Sequence, residues 1–129
     1  MKITFYGPPV TKKNSQRLIT LPNGRMIPIP SKAYKNWEKE CLKQVIGKHR
    51  TGINTPINLM AVIFKKDLRK SDLANYLAAV CDMLVKAGVI EDDNFNIVAG
   101  HDGSRISLDR KNPRVEITIT DLTVDSYNL

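Results

Sequence analysis

Two short acidic segments follow the most basic stretch of the chain. The basic stretch spans residues 65–70, and the acidic segments contain Asp72 and the pair Asp92-Asp93. Carboxylates are ligands that magnesium prefers, and a bound metal ion can orient an attacking water and stabilise charge on a leaving oxygen. The pattern therefore suggests metal-assisted phosphodiester hydrolysis, with Asp72, Asp92 and Asp93 as candidate ligands.

The same residues also have a purely structural interpretation. Asp72 stands where a helix is expected to begin, and aspartate is a common N-cap residue. Residues 91–94, Glu-Asp-Asp-Asn, suit a solvated turn, because Asp and Asn side chains bond readily to the nearby backbone. From the pattern alone, both interpretations stay open.

Charge is divided unevenly along the chain. Residues 1–70 carry fifteen Lys or Arg against three Asp or Glu, whereas residues 71–129 carry five against ten. Such asymmetry favours a polyanionic partner, and nucleic acid ranks ahead of a membrane surface. A soluble basic protein without such a partner is the alternative.

Length and composition set further limits. With 129 residues, 42% of them hydrophobic, the chain is long enough for one core and short for two ordinary domains. Cys41 and Cys81 have no paired spacing and no nearby His to complete a zinc site, so free, partly buried thiols are expected. No stretch approaches the roughly 20 apolar residues of a membrane-spanning helix, and the cytoplasm is the expected compartment.

The N-terminal half predicts one strand, one hairpin and one helix. Residues 2–6 alternate as a strand, and Asn23-Gly24 lies between two short apolar runs, which indicates a β-hairpin. From Ser31, a plausible N-cap, apolar residues recur at helical spacing as far as Ile46, with lysines on the other faces.

The C-terminal half predicts a central strand, a second helix and further strands. Residues 57–64 form a continuous apolar run, and a helix is expected from Asp72 to about Ala87, with Gly88 as its stop. Strands are expected over 95–99, 105–109 and 114–120, and the tail after Leu122 is expected to fray. The fold class is α/β of the α+β type: a single small domain, residues 1–129, with a mixed sheet and two main helices.

The chain resembles the RusA family of Holliday-junction resolvases, small nucleases found in bacteria and often carried by phages or prophages. The likeness extends from the N-terminal strand and Pro-Pro loop to the final strand. Its most specific part is residues 72–75, then 82–84 and 86–88, then the acidic turn. In the family, the first motif reads Asp-Leu-Asp-Asn, and a later Asp-Asp pair supplies another metal ligand.

The resemblance implies residue roles where the motifs match. Asp72 and Asp93 correspond to metal-binding catalytic residues, Asp92 stands beside the site as a further candidate ligand, and Asn75 supports it through its amide. It also implies magnesium, for which manganese can substitute, a homodimer, and four-way or branched DNA as the substrate.

Two positions depart from the family pattern. Ala74 replaces the second aspartate of the helix motif, and Ala78 replaces a lysine. Ala74 has three alternative explanations: a natural branch of the family that uses another ligand, an engineered substitution, or a natural loss of activity. Replacement ligands considered are Asp92, Asn75 and Asp82, although Asp82 lies about three turns from Asp72. Lys70 or Arg69 is the candidate for the missing positive charge.

Contacts to DNA are expected mainly from the basic half of the chain. Phosphate contacts position a duplex without reading its sequence. The candidate DNA-binding residues are Lys12, Lys13, Arg17, Lys65, Lys66, Arg69 and Lys70.

Two other functions stand beside the metal-dependent resolvase. One is a non-catalytic binder of branched DNA, and the other is an RNA- or protein-binding adaptor.

Overall fold

The computed structural model describes residues 1–11 and 16–122. Lys12, Lys13 and the tail after Leu122 lie outside the described residues, as does the side chain of Arg17, so the predictions made for them stay predictions. No helix in these two ranges is long and apolar enough to span a membrane.

A long apolar strand forms the middle of a five-stranded mixed sheet. This strand, β4, spans Ile57–Lys65. On one side it pairs antiparallel with β7 (Arg114–Asp121), which pairs antiparallel with β1 (Lys2–Tyr6). On the other side β5 (Val98–Gly100) and β6 (Arg105–Leu108) both run parallel to β4. The central strand predicted from the apolar run is confirmed.

Two helices supply the other layer of the core. Helix α1 spans Lys32–Gln44, and the Ser31 hydroxyl caps it by accepting the Tyr34 amide N–H at 3.1 Å. Helix α2 spans Leu73–Lys86 and is followed by Gly88 with φ of +75°, a conformation that favours glycine. The fully buried side chains come from both helices and from alternate positions of the strands, among them Phe5, Cys41, Leu59, Ile63, Met83, Leu84 and Val115.

The predicted hairpin forms a second, two-stranded sheet. Strand β2 spans Gln16–Thr20 and strand β3 spans Met26–Pro30, paired antiparallel around Gly24 with φ of +84°. The α+β fold class, with two helices and a mixed sheet, is confirmed.

Two predicted element boundaries are wrong. The strand expected over 95–99 begins only at Val98, because the Asn94 carbonyl accepts the amide N–H groups of Ile97 and Val98 at 3.0 and 2.8 Å and closes a turn over residues 95–97. The helical apolar pattern continued to Ile46, yet α1 ends at Gln44.

Arg50 joins the C-terminal ends of the two helices. Its guanidinium donates to the Ala87 carbonyl beyond α2 at 2.7 Å, and to the carbonyls of Leu42 and Val45 at 3.2 and 3.3 Å. The last carbonyls of a helix have no partner within the helix and carry partial negative charge, so a cation there satisfies them.

Replacing Arg50 with alanine is expected to lower the free energy of unfolding by about 1–3 kcal/mol, because three carbonyls lose a charged donor in a partly solvated place. Urea denaturation measures the change. Lys48→Ala, an exposed cation two residues away, serves as the control and should change stability by less than about 0.5 kcal/mol. Equal effects for both variants would contradict the role given to Arg50.

Candidate active site

The acidic turn after α2 is built by its own side chains. Asp92 accepts the Asp93 amide N–H at 2.7 Å through Oδ1 and the Asn94 side-chain amide at 3.0 Å through Oδ2. These bonds lower the pKa of Asp92, the Asp93 N–H being the largest cause. Asn94 in turn accepts the Asn96 N–H at 3.0 Å. Asp92 therefore shapes the turn on which Asp93 is exposed.

A cavity of 460 Å³ lies beside this turn, in the groove between the two helices. Four acidic residues line it, two from the turn and one from each helix: Asp92, Asp93, Glu38 and Asp82. The structure thus brings Asp82 to the Asp92-Asp93 pair. Sequence spacing places Asp82 about three turns of helix from Asp72, and gives no reason to place it beside the acidic turn.

Glu38 forms the inner wall of this cavity, and it is compensated. Its side chain is 9% exposed; Oε2 accepts the Tyr34 hydroxyl at 3.0 Å and Oε1 accepts Lys86 Nζ at 2.7 Å. Burial, and then the bond to Glu38, raises the pKa of Tyr34 above its ordinary value. A buried carboxylate with a cation and a hydroxyl as partners stabilises the wall, so we assign Glu38 a structural role.

Cys81 shows how near the acidic turn lies to the middle of α2. Its thiol is 4% exposed, and burial raises its pKa to about 12, with further contributions from the carboxylates of Asp93 and Asp82. Cys41 is also free and buried. The predicted free thiols are confirmed.

The buried thiol leads to a prediction on pH and reactivity. The folded chain keeps the Cys81 proton until about pH 12, whereas an unfolded chain releases it near pH 9. This contribution to stability is complete below pH 9 and is lost as pH rises towards 12. We expect Ellman's reagent to leave native Cys81 unmodified for hours at pH 8 and to modify it within minutes in denaturant. Rapid labelling of the native Cys41→Ala variant would contradict this.

Asp72 lies at the start of α2, and its carboxylate is not used to cap the helix. It occupies the N-cap position with an extended backbone, but its side chain makes no capping hydrogen bond. The predicted N-cap position of Asp72 is therefore confirmed, but its carboxylate supplies no capping bond and the residue is exposed. Asn75 follows in the first turn, where its backbone N–H donates to the Asp72 backbone carbonyl at 3.1 Å.

An exposed stripe of α2 connects Asp72 with the acidic cavity. Ala74, Ala78 and Asp82 are spaced by four residues and therefore share one face of the helix. Ala74 and Ala78 are exposed, while Cys81 on the adjacent row is buried. Helical rise puts Asp82 about 15 Å along the axis from Asp72, and Asp72 does not line the cavity.

The predicted convergence of Asp72 with Asp92 and Asp93 stays a prediction. Among residues 1–11 and 16–122, no group of three or more His, Cys, Asp or Glu side chains is arranged to hold a metal ion. What the structure brings together is Asp82 with Asp92 and Asp93. Asp82 is one of the replacement ligands that the sequence suggested, and its place beside the acidic turn depends on how the two helices pack.

A second cavity, of 300 Å³, collects the cations of the basic loop 65–70. Residues 8–11 also line it, and Ser71 and Tyr76 contribute from the start of α2. In the described part of the chain, the buried Ser71 hydroxyl has no hydrogen-bond partner, a feature not visible in the sequence. The candidate DNA-binding residues that line this cavity are Lys65, Lys66, Arg69 and Lys70.

The basic loop is held in shape by two hydrogen bonds. The Arg69 amide N–H donates to Asp67 Oδ1 at 3.0 Å, which lowers the pKa of Asp67, and Lys65 Nζ donates to the Arg69 carbonyl. Lys66, Arg69 and Lys70 are exposed. The loop therefore presents several cations to solvent from a folded backbone.

Comparison with known proteins gives one family. No curated protein matches the chain at a significant level. Residues 6–120 match the family described as endodeoxyribonuclease RusA, a range that includes the basic loop, Asp72, Asn75 and the Asp92-Asp93 turn. With nearly the whole chain covered by the match, the protein belongs to the RusA family of endodeoxyribonucleases.

Proposed function

We propose that this chain is a magnesium-dependent endodeoxyribonuclease that resolves Holliday junctions by paired, symmetric nicks. The observation that carries the proposal is the family match over residues 6–120, within which Asp72 keeps its carboxylate out of helix capping. A capping hydrogen bond would have given Asp72 a structural reason to be acidic. Because its side chain makes no such bond, we favour a ligand or catalytic role.

The donor chemistry of the site suits magnesium. Mg²⁺ binds hard oxygen ligands, keeps several waters and is commonly held by one or two protein carboxylates together with substrate phosphate. Asp72 and Asp93 are the proposed pair of carboxylate ligands, and Asp82 and Asp92 are the further candidates. When bound, the ion would activate water and stabilise charge on the leaving oxygen.

The chain's own residues supply position and charge. Asp92 holds the turn that exposes Asp93, so we assign it a positioning role in addition to its candidacy as a ligand. Asn75 stands in the first turn of α2, three residues after Asp72. We assign Lys70 or Arg69 the positive charge that the family lysine supplies, because Ala78 has none.

The basic cavity is the proposed anchor for the DNA backbone. Its four cations and the buried Ser71 hydroxyl offer charge and a donor to a phosphate oxygen. Ser71 immediately precedes Asp72, so a phosphate held there lies next to the proposed metal ligand. Lys12, Lys13 and Arg17 are proposed to extend this contact.

A homodimer suits this task. A four-way junction has two-fold symmetry, and resolving it requires nicks in two opposing strands. Two copies of the chain, each with one site, provide both nicks. We place the protein in the cytoplasm of a bacterium, encoded by the host or by a phage.

A non-catalytic binder of branched DNA is the second candidate. It is favoured by the exposed Ala74, which offers no ligand where the family motif has aspartate, and by the lack of a preformed metal-ligand group in the ranges described. This protein would keep the basic cavity and bind junctions without cutting them.

Nicking of a synthetic four-way junction in magnesium or manganese tests the proposal. We expect paired nicks with 5′-phosphate and 3′-hydroxyl ends, and preference for the junction over linear duplex and RNA in competition. Junction binding without nicking would support the second candidate. Equal competition by RNA would contradict both.

The proposed anchor predicts strong salt dependence. Each phosphate contact that is lost should reduce the slope of log affinity against log salt by about one. Lys66→Gln is expected to do so in fluorescence anisotropy titrations. Lys39→Gln, an exposed lysine on α1, should leave the slope unchanged. A wild-type slope near zero would contradict phosphate anchoring.

A further inference from the structure

The two most exposed large apolar side chains of the described residues stand in the two loops of the proposed site. Leu68, in the basic loop, is 77% exposed, and Phe95, in the turn after Asp93, is 78% exposed. The other exposed large apolar residues range from 40 to 62%. An aromatic ring in water loses the stabilisation that burial would give it, and the place of Phe95 two residues after Asp93 makes the ring accessible to a molecule bound at that turn.

Phe95 is held outward by the structure around it. Asn94 fixes the backbone on both sides through its carbonyl, which accepts from Ile97 and Val98, and its side chain, which accepts from Asn96. Ile97 is 5% exposed and anchors the turn in the core, and its carbonyl accepts the Ile57 amide N–H at 2.8 Å. The ring is therefore presented to solvent by a turn fixed at both ends.

The surroundings of Phe95 do not resemble the core of a protein interface. Residues 91–94 and 96 are all polar and exposed. Interface cores group several apolar residues in one patch and exclude charge. A single ring among carboxylates and amides suits a partner with one flat apolar face and polar edges, and a nucleobase has that form.

We infer that Phe95 is a positioning residue whose ring stacks on a base at the branch point of a DNA junction. This base lies about one nucleotide along the strand from the phosphate that is bound near Asp93. This inference rests on the proposed function. Bases at a branch point can lose a stacking neighbour, and an aromatic side chain can replace it. Because Phe95 follows Asp93 by two residues, stacking would fix the strand against the acidic turn.

The test uses junctions with 2-aminopurine at the branch point and the full chain in Ca²⁺, a hard cation for carboxylates. We expect Phe95→Ala to weaken junction binding about tenfold, to leave linear duplex binding within twofold, and to abolish the fluorescence change seen with the wild type. Phe95→Trp, which keeps a stacking surface, should retain both signals. Ile46→Ala, at an apolar residue 50% exposed just after α1, is the control.

Each contrary outcome has one meaning. If the wild type prefers junctions and Phe95→Ala binds them equally well with the same fluorescence change, the inference is wrong and the proposed function stands. A wild type without preference for branched DNA overturns both. If Phe95→Ala instead shifts the mass measured by sedimentation, the ring belongs to a contact between copies, and stacking is rejected.

Discussion

Asparagine in place of Asp93 is expected to slow nicking of a four-way junction by about a thousandfold. The substitution keeps the shape of the side chain and removes its charge, and a metal ligand supplies several kcal/mol of transition-state stabilisation, each 1.4 kcal/mol being tenfold in rate. Single-turnover nicking at saturating protein measures the change. Junction affinity should alter by only a few-fold, because the basic cavity is untouched.

Controls for Asp93→Asn separate charge from position. Asp102→Asn, at an exposed aspartate in the turn between β5 and β6, should leave nicking unchanged. Asp72→Asn should slow nicking about as strongly as Asp93→Asn does, whereas Asp82→Asn should slow it less. If Asp82→Asn slows nicking more than Asp72→Asn does, the metal ligands are the carboxylates that line the acidic cavity, Asp82, Asp92 and Asp93, and Asp72 is not a ligand.

Aspartate in place of Ala74 is expected to raise nicking at limiting magnesium by roughly tenfold to a hundredfold, since the number of charged ligands strongly affects affinity for divalent cations. Ala74 is exposed and stands in the first turn of α2. A new carboxylate there is not buried, and the positive end of the helix dipole favours it. The fold should therefore be as stable as before. Nicking rates across a magnesium titration measure the gain.

Ala78→Asp is the matched control for Ala74→Asp. It adds the same charge to the same exposed stripe, one turn further along α2, where the family has a lysine. We expect no gain in nicking. Equal gains for the two variants would show that charge alone suffices. If only Ala74→Asp cuts and the wild type does not, the chain is the non-catalytic binder.

The predictable parts of the fold had strong local causes. The Ser31 cap, the hairpin around Gly24 and the apolar run of β4 each carry their signal within a few residues, and all three are present. The strand prediction for residues 95–97 was wrong because two local signals compete there. Their alternation resembles a strand, but the hydrogen bonds made by Asn94 close a turn.

The site was less predictable, because it depends on packing between distant segments. The motif residues Asp72, Asn75, Asp92 and Asp93 could be named from the resemblance. The cavity that joins Asp82 to the acidic turn depends on how α1 lies beside α2, which no spacing within α2 expresses. The exposure of Phe95 likewise depended on a turn that the strand prediction had missed.

The exposure of Ala74 and Ala78 also bears on how such a protein can evolve. An exposed side chain can be exchanged at little cost to folding, and two of the four alanine codons become aspartate codons by a single-nucleotide change. Cutting could thus be lost or regained by point mutation while the sheet, the helices and the basic cavity stay intact. A lineage under changing selection for cleavage or for binding alone could move between the two states without passing through an unstable intermediate.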